Sequence, residues 1–270
     1  MSKKDLTLAY SPCPNDTFLF YHMIHSQLDQ NLSFREELRD VEDLNQSAQE
    51  SLYDTTKLSF AAYFQVMDKY EILESGSALG RGCGPLLIRK KGSNFNIKNA
   101  KTILSPGKLT TANLLLQLYS QQKDLPLEYL RYDKIIHMLA ENKADLGVII
   151  HEERFTYQDF DLEIVQDLGK WWEETTSHPI PLGCIAIKRS LGKEIKLLVE
   201  ECIRESVDRA WADPIKPQDY ILKNSQNKDL TVVRAHIQLY VNEFTRNLGD
   251  IGNGAIQELF IRAKQLYPNL

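Results

Sequence analysis

The feature that most limits how this chain can fold is a strict alternation, up to about residue 190, of short apolar runs with stretches of helical spacing. Residues 6–10, 32–38, 57–60, 85–88, 101–104, 145–150, 162–165 and 182–187 read as strands. Residues 16–28, 41–52, 61–67, 110–119 and 132–142 carry apolar positions at helical spacing, with Asn15 or Asp16 placed to cap the first helix. From Lys193 onward the pattern is almost wholly helical, broken near Pro214, Pro217 and Gly249. Such alternation predicts an α/β fold with largely parallel sheets. Candidate crossovers at residues 89–92 and 187–188 would divide the chain into a larger discontinuous lobe, residues 1–91 plus 187–270, and a smaller inserted lobe, residues 92–186. A cleft would lie between them.

In open α/β sheets, ligands bind just past the carboxyl ends of the strands. Two segments place polar groups at such ends. Ser11-Pro12-Cys13-Pro14-Asn15-Asp16 follows the first strand, and His151-Glu152-Glu153-Arg154 follows Leu146-Gly147-Val148-Ile149-Ile150. The prolines stiffen the first segment ahead of a helix start, where free N–H groups favour anions; a rigid turn with a helix cap accounts for it equally well. An imidazole leaving an apolar strand can exchange a proton with a bound molecule near neutral pH, and the neighbouring Glu152, Glu153 and Arg154 can orient it. The alternative is a buried histidine paired for structural reasons.

Lys57 and Ser59 stand at another strand end, as a source of charge and a hydroxyl donor, or as a surface lysine and a helix cap. Thr110 and Thr111 open a clear helix, fit either to cap it or to hold an anionic ligand. The loop Ser105-Pro106-Gly107-Lys108 lacks the spacing of a phosphate-binding P-loop, and Gly80-Arg81-Gly82-Cys83-Gly84 does not follow the dinucleotide pattern. Trp171-Trp172 near a strand could wall a pocket for an aromatic ligand or belong to the core.

Composition excludes several classes. With 32 basic against 37 acidic residues, and a net charge of -5, the chain lacks the basic excess of a nucleic-acid binder. No apolar run reaches the ~18 residues of a membrane span, and the amino terminus has no signal-peptide core. A cytoplasmic protein is expected. Cys13, Cys83, Cys184 and Cys202 form no Cys-x-x-Cys pair, so free thiols, no metal and no cofactor are expected.

Taken together, SPCPNDTF, KLSFAAY, SGSALGRGCGPLL, PGKLTTANLLL, GVIIHEERFTY and DLGKWWEETTSHPIPLG resemble the 1,4-dihydroxy-6-naphthoate synthase family of the futalosine route to menaquinone. The matching order spans residues 6–187, and Val241-Asn242-Glu243-Phe244 in the tail is similar as well. The resemblance implies a two-lobed fold like that of type II periplasmic binding proteins, with a small-molecule carboxylate in the interdomain cleft. It implies a lyase that cleaves a carbon–carbon bond of cyclic dehypoxanthine futalosine. It also implies His151 as proton acceptor and Lys57, Ser59, Thr110 and Thr111 as substrate contacts, a set that Asn15 and Asp16 complete. Glu153 departs from the glycine expected in HEGRFTY. Two readings compete: chorismate dehydratase of the same pathway, and a non-catalytic binding protein of the same fold.

Overall fold

The computed structural model of the chain describes residues 3–270. The chain begins with β1 (Lys4–Tyr10), α1 (Pro14–His25), β2 (Leu32–Leu38), α2 (Val41–Gln49), β3 (Thr55–Ser59), α3 (Phe60–Tyr63), β4 (Tyr70–Ile72) and β5 (Ala78–Gly80). It then crosses to β6 (Leu86–Lys90), β7 (Ile103–Ser105), α4 (Thr111–Ser120), β8 (Leu127–Tyr129), α5 (Tyr132–Ala140), β9 (Leu146–Ile149), α6 (Glu153–Thr156), β10 (Leu162–Asp167) and α7 (Leu168–Thr176). It returns through β11 (Ile180–Lys188) to α8 (Gly192–Ala212), α9 (Gln218–Asn224), α10 (Leu230–Tyr240), α11 (Glu243–Arg246) and α12 (Gly249–Leu266).

Two sheets result. One has the order β2-β1-β3-β11-β4, with β5 also pairing β11; the other has the order β10-β6-β9-β7-β8. Both are mixed, which corrects the expectation of largely parallel sheets. β1 runs parallel to β2 and β3, and β7 parallel to β8 and β9. β11 runs antiparallel to β3, β4 and β5, and β6 antiparallel to β9 and β10. β6 and β11 are the strands that receive the chain after each crossing; β6 follows β5 with no helix between them, and β11 follows α7. The strands change sheets at Leu86 and Ile180, several residues before the boundaries at 92 and 187 expected from sequence. Gly92 instead sits in a turn beyond β6, with φ +78°.

Apolar periodicity explains the packing. Leu6, Leu8, Ile185 and Ile187 of the first sheet meet Phe18 and Leu19 of α1, Val199 and Ile203 of α8, and Val233 and Ile237 of α10. In the second sheet Leu86, Ile88, Leu104 and Ile149 pack on Ile135, Ile136 and Leu139 of α5. Leu259 and Ala263 of α12 share a core with Leu58 of the first sheet and Ile103 and Leu146 of the second, so the helical tail braces both. Trp172 lies in that core, fully buried, and its indole N–H donates to the carbonyl of Pro179 at 3.0 Å. Packing, not a pocket wall, is therefore its place. No described helix is long and apolar enough to cross a membrane.

The first helix starts earlier than its sequence suggests. Cys13 is the N-cap residue and Pro14 opens the helix, a position where the missing N–H costs nothing. Asn15 and Asp16 therefore lie inside the first turn, and their side chains are released from capping.

At the crossing into the second sheet, Gly84 lies against Gly169 of α7. A Cβ on Gly84 would stand 2.3 Å from the Cα of Gly169, backbone that cannot swing aside. Gly84→Ala is expected to destabilise the fold by about 1–3 kcal/mol, the range for forced overpacking. Gly254→Ala, whose added methyl would meet only His178 at 3.5 Å, should be near neutral. Thermal melting of the two variants checks this; an unchanged melting temperature for Gly84→Ala would contradict it.

Candidate active site

The parallel strands aim their carboxyl ends at one another across the gap between the sheets. The segments after β1, β3, β7 and β9 line a single pocket. Ser11, Asn15, Asp16, Lys57, Ser59, Thr110, Thr111 and His151 all reach it, together with Val41, Cys83, Leu182 and Tyr240. The pocket is partly open to solvent, and its cavity volume of about 80 Å³ is well below the ~300–1,000 Å³ of sites that hold drug-sized ligands. The residues expected as proton acceptor and substrate contacts thus line this pocket, whereas Glu152, Glu153, Arg154, Trp171 and Trp172 do not.

Asp16 is the hub. Only 1% exposed, its carboxylate accepts from Lys57 Nζ and Asn15 Nδ2 at 2.8 Å each on one oxygen, and from Ser11 Oγ at 2.8 Å on the other. Lys57 is 6% exposed, so the pair is a buried salt bridge. Such a pair costs desolvation free energy and is tolerated when further hydrogen bonds satisfy both ions, as they do for this carboxylate. The amide of Asn15 is fixed from behind, because its Oδ1 meets His236 Nε2 at 2.8 Å.

His151 follows β9 in a left-handed turn, φ +56°, which non-glycine residues adopt at some cost in strain. Arg154 clamps this turn: its guanidinium donates to the Gly84 carbonyl and, at 2.9 Å, to Asp167 Oδ2. The imidazole lies 4.7 Å from the ring of Tyr132 and 6.0 Å from that of His236, centroid to centroid. Burial lowers its pKa to about 4; the Asp16 charge acts upward and the Lys57 charge downward. It is therefore unprotonated at neutral pH. His236, fully buried, is also pushed down, first by burial and then by His151 and Lys57.

Behind the ring lies an unsatisfied cluster. His151 Nε2 and both carboxylate oxygens of Glu152 are shielded from solvent and have no hydrogen-bond partner. Burial raises Glu152 to about 7 and Glu153 to about 8, the latter also through the Glu152 charge. A ring nitrogen of His151, a Glu152 oxygen and Cys13 Sγ lie within 4.8 Å of one another. Burial raises the Cys13 thiol well above its ordinary range, with the Glu152 charge acting in the same direction.

The hydroxyls expected to hold a ligand are already engaged. Thr110 caps α4 by accepting from Asn113 N at 3.2 Å and donates to the Gly107 carbonyl at 2.8 Å. Thr111 donates to the Leu182 carbonyl at 2.7 Å and accepts from Ala61 N at 3.3 Å, which ties α4 to the first sheet. Ser59 Oγ accepts from Asn45 Nδ2 at 3.1 Å, and Ser59 N donates to Asn45 Oδ1 at 2.9 Å. What the α4 start still offers a ligand is the backbone N–H groups of its first turn.

Asn45 and His236 were not singled out from the sequence. Both are fully buried and both hold a residue that was. Asn45 sits on a polar helix, and His236 is 221 residues from its partner Asn15, so no local pattern marks either.

With this geometry in place, comparisons with known proteins become informative. A profile of the family described as "Menaquinone biosynthesis" matches residues 6–265. A protein of Thermus thermophilus named 1,4-dihydroxy-6-naphthoate synthase is 43% identical over 259 residues, 96% of this chain and 94% of its own length. One of the same name from Streptomyces coelicolor is 37% identical over 268 residues, 97% of this chain and 94% of its own. A crystal structure from Archaeoglobus fulgidus superposes with a TM-score of 0.91 at 34% identity, covering 97% of both chains. The ligand-binding component of an import system from Staphylococcus aureus superposes at 0.70 with 12% identity, covering 97% of this chain and 92% of its own, a likeness of fold alone. The fold is that of the periplasmic binding proteins.

The raised carboxyls have a consequence for stability. Groups whose folded pKa lies above the unfolded value of ~4.5 stabilise the fold while protonated, and that contribution is lost as pH rises through the folded value. Glu152 and Glu153 titrate in the fold at about 7 and about 8. The depressed histidines act in the opposite sense, but only up to their unfolded pKa of ~6.5. Between about pH 6.5 and pH 8 these two carboxyls should therefore remove stability, on the order of 2 kcal/mol. Denaturant unfolding across that window measures it, and Glu153→Gln should flatten the slope. A slope unaltered by that substitution would contradict the assignment.

Proposed function

Because the chain belongs to the menaquinone biosynthesis family, we propose that it performs the reaction named for its relatives and forms 1,4-dihydroxy-6-naphthoate. In this reading the two sheets are the cores of two lobes, in the cytoplasm, that close on cyclic dehypoxanthine futalosine. The observation that carries it is the unprotonated imidazole of His151 in a pocket whose other wall is a helix amino terminus.

The parts have distinct tasks. The benzoate carboxylate of the substrate faces the first turn of α4, where backbone N–H groups and the helix dipole favour an anion. Lys57, held by Asp16, keeps a positive charge in the same pocket, and Asn15 and Ser59 offer polar contacts at its floor. His151 takes the proton of a substrate hydroxyl. The resulting alkoxide becomes the carbonyl of the departing sugar remnant as the carbon–carbon bond breaks. The bond's electron pair passes into the fused ring system, onto an oxygen that takes up a proton, and the ring becomes aromatic. Aromatisation drives the step, and Lys57 can offset negative charge as it develops. A carbon–carbon lyase of this kind asks the protein for one base, an anion site and exclusion of water.

His151→Asn is expected to lower turnover of the cyclic substrate at least ~100-fold while leaving the fold intact, the lower end of what acid–base catalysis supplies. His137→Asn, on the exposed side of α5, serves as control. Product formation by liquid chromatography is the readout. Near wild-type turnover by His151→Asn would overturn the assignment.

A further inference from the structure

His151 and Glu152 are consecutive, yet both are directed into the same enclosed space. In a strand or an ordinary turn, neighbours along the chain point apart. Here the left-handed backbone of His151, φ +56°, followed by a helical Glu152, φ -67° and ψ -26°, brings a ring nitrogen and a carboxylate oxygen within 4.8 Å. Glu152 is 3% exposed and both of its oxygens lack a partner; His151 Nε2 lacks one too. Each is what the other is missing, since a neutral imidazole carries one N–H donor and a carboxylate accepts only. Buried polar groups in native proteins are almost always paired, so two such orphans side by side mark an interaction that forms when the site tightens.

We propose that Glu152 is the positioning residue of the base: its carboxylate accepts from His151 Nε2–H, leaving Nδ1 bare toward the substrate. The proposal rests on the reading of His151 as base. A carboxylate behind an imidazole fixes its tautomer and stabilises the imidazolium that forms on proton transfer.

The surroundings favour this partner over others. Around His151 stand Tyr132 of α5, His236 of α10 and Cys13 at the start of α1, with Asp16 and Lys57 farther across the pocket. Glu152 is faced by Cys13, Tyr132, Glu153 and Tyr240, none of them a cation. Lys57 is committed to Asp16, and Arg154 to Asp167 and the Gly84 carbonyl. The three donors Cys13, His151 and Glu152 are also of the types zinc takes, and all lie within 4.8 Å of one another, so the metal reading is an outcome of the test below. The Cys13 thiol, held protonated by burial, is moreover directed at Tyr132 Oη, 3.9 Å away.

The pairing has a pH signature. Glu152 must be ionised to accept, and burial sets its titration at about 7. Wild-type kcat should therefore fall as pH drops below about 7. Glu152→Gln should lower kcat about 10- to 100-fold, leave KM within about threefold, and abolish that limb between pH 5 and 8, which a merely structural role would not do. Glu152→Gln with wild-type kcat, or with the limb retained, overturns the pairing; if His151→Asn is inactive at the same time, the base reading stands and only the pairing fails. An active His151→Asn sinks both. Should Glu152→Gln not fold, ¹⁵N NMR of the wild-type imidazoles decides: His151 protonated on Nε2 above pH 7 supports the pairing, and protonation on Nδ1 overturns it. Stoichiometric zinc in the purified protein, lost in Cys13→Ser, would overturn it in favour of a metal site.

Discussion

The buried ion pair of Lys57 and Asp16 is the interaction on which the rest of the pocket depends. It joins the first turn of α1 to β3 of the sheet on which α1 packs, and holds both charges at 8% and 2% side-chain exposure. From it the network runs outward through Asn15 to His236 on α10 and through Ser11 to the loop after β1. Removing one partner of such a pair leaves an uncompensated buried charge, typically a loss of ~3–5 kcal/mol. A hydrophobic pair of the same volume would serve stability as well or better. Its role is therefore best understood through the site: it places the Lys57 side chain in the pocket wall and fixes a carboxylate where it can influence His151.

The second constraint is the environment of His151, a half-buried residue whose ring Nε2 is shielded from solvent. Low dielectric surroundings keep the ring neutral, and the left-handed backbone turns it out of the strand and into the pocket. Strain of this sort persists only when neighbouring structure holds it in place. The Arg154 guanidinium does so by bridging Asp167 and the Gly84 carbonyl, the same glycine whose close approach to Gly169 sets the crossing between sheets. The topology that moves the chain from one sheet to the other thus also fixes the loop that carries His151.

Much of this arrangement could be read in the sequence, for identifiable reasons. Strand ends followed by polar clusters locate Asp16, Lys57, Ser59 and His151, because the period-2 apolar pattern stops where the chain leaves the sheet. The Thr110 cap of α4 is a local signal. β4, β5 and β8 are each only three residues long and show no periodicity to detect. The antiparallel sense of β6 and β11 depends on contacts distant in sequence, as does the engagement of the Thr111 hydroxyl with Leu182. His236 occupies an ordinary position of an amphipathic helix, and only the folded chain brings it to Asn15. The first helix begins two residues before its apolar spacing does, because Pro14 opens it at a position where the missing N–H costs nothing.

The central claim is that the pocket between the sheets, with His151 on one side and the α4 amino terminus on the other, holds the substrate in a reactive pose. A crystal structure of the H151N variant with the cyclic substrate bound tests it most directly. The account predicts the benzoate carboxylate at the first turn of α4 and a substrate hydroxyl within ~3.2 Å of the side chain at position 151. Substrate seated instead in the separate groove beside Glu42, Tyr129 and Tyr267, or in the pocket with its carboxylate turned away from α4, would contradict it.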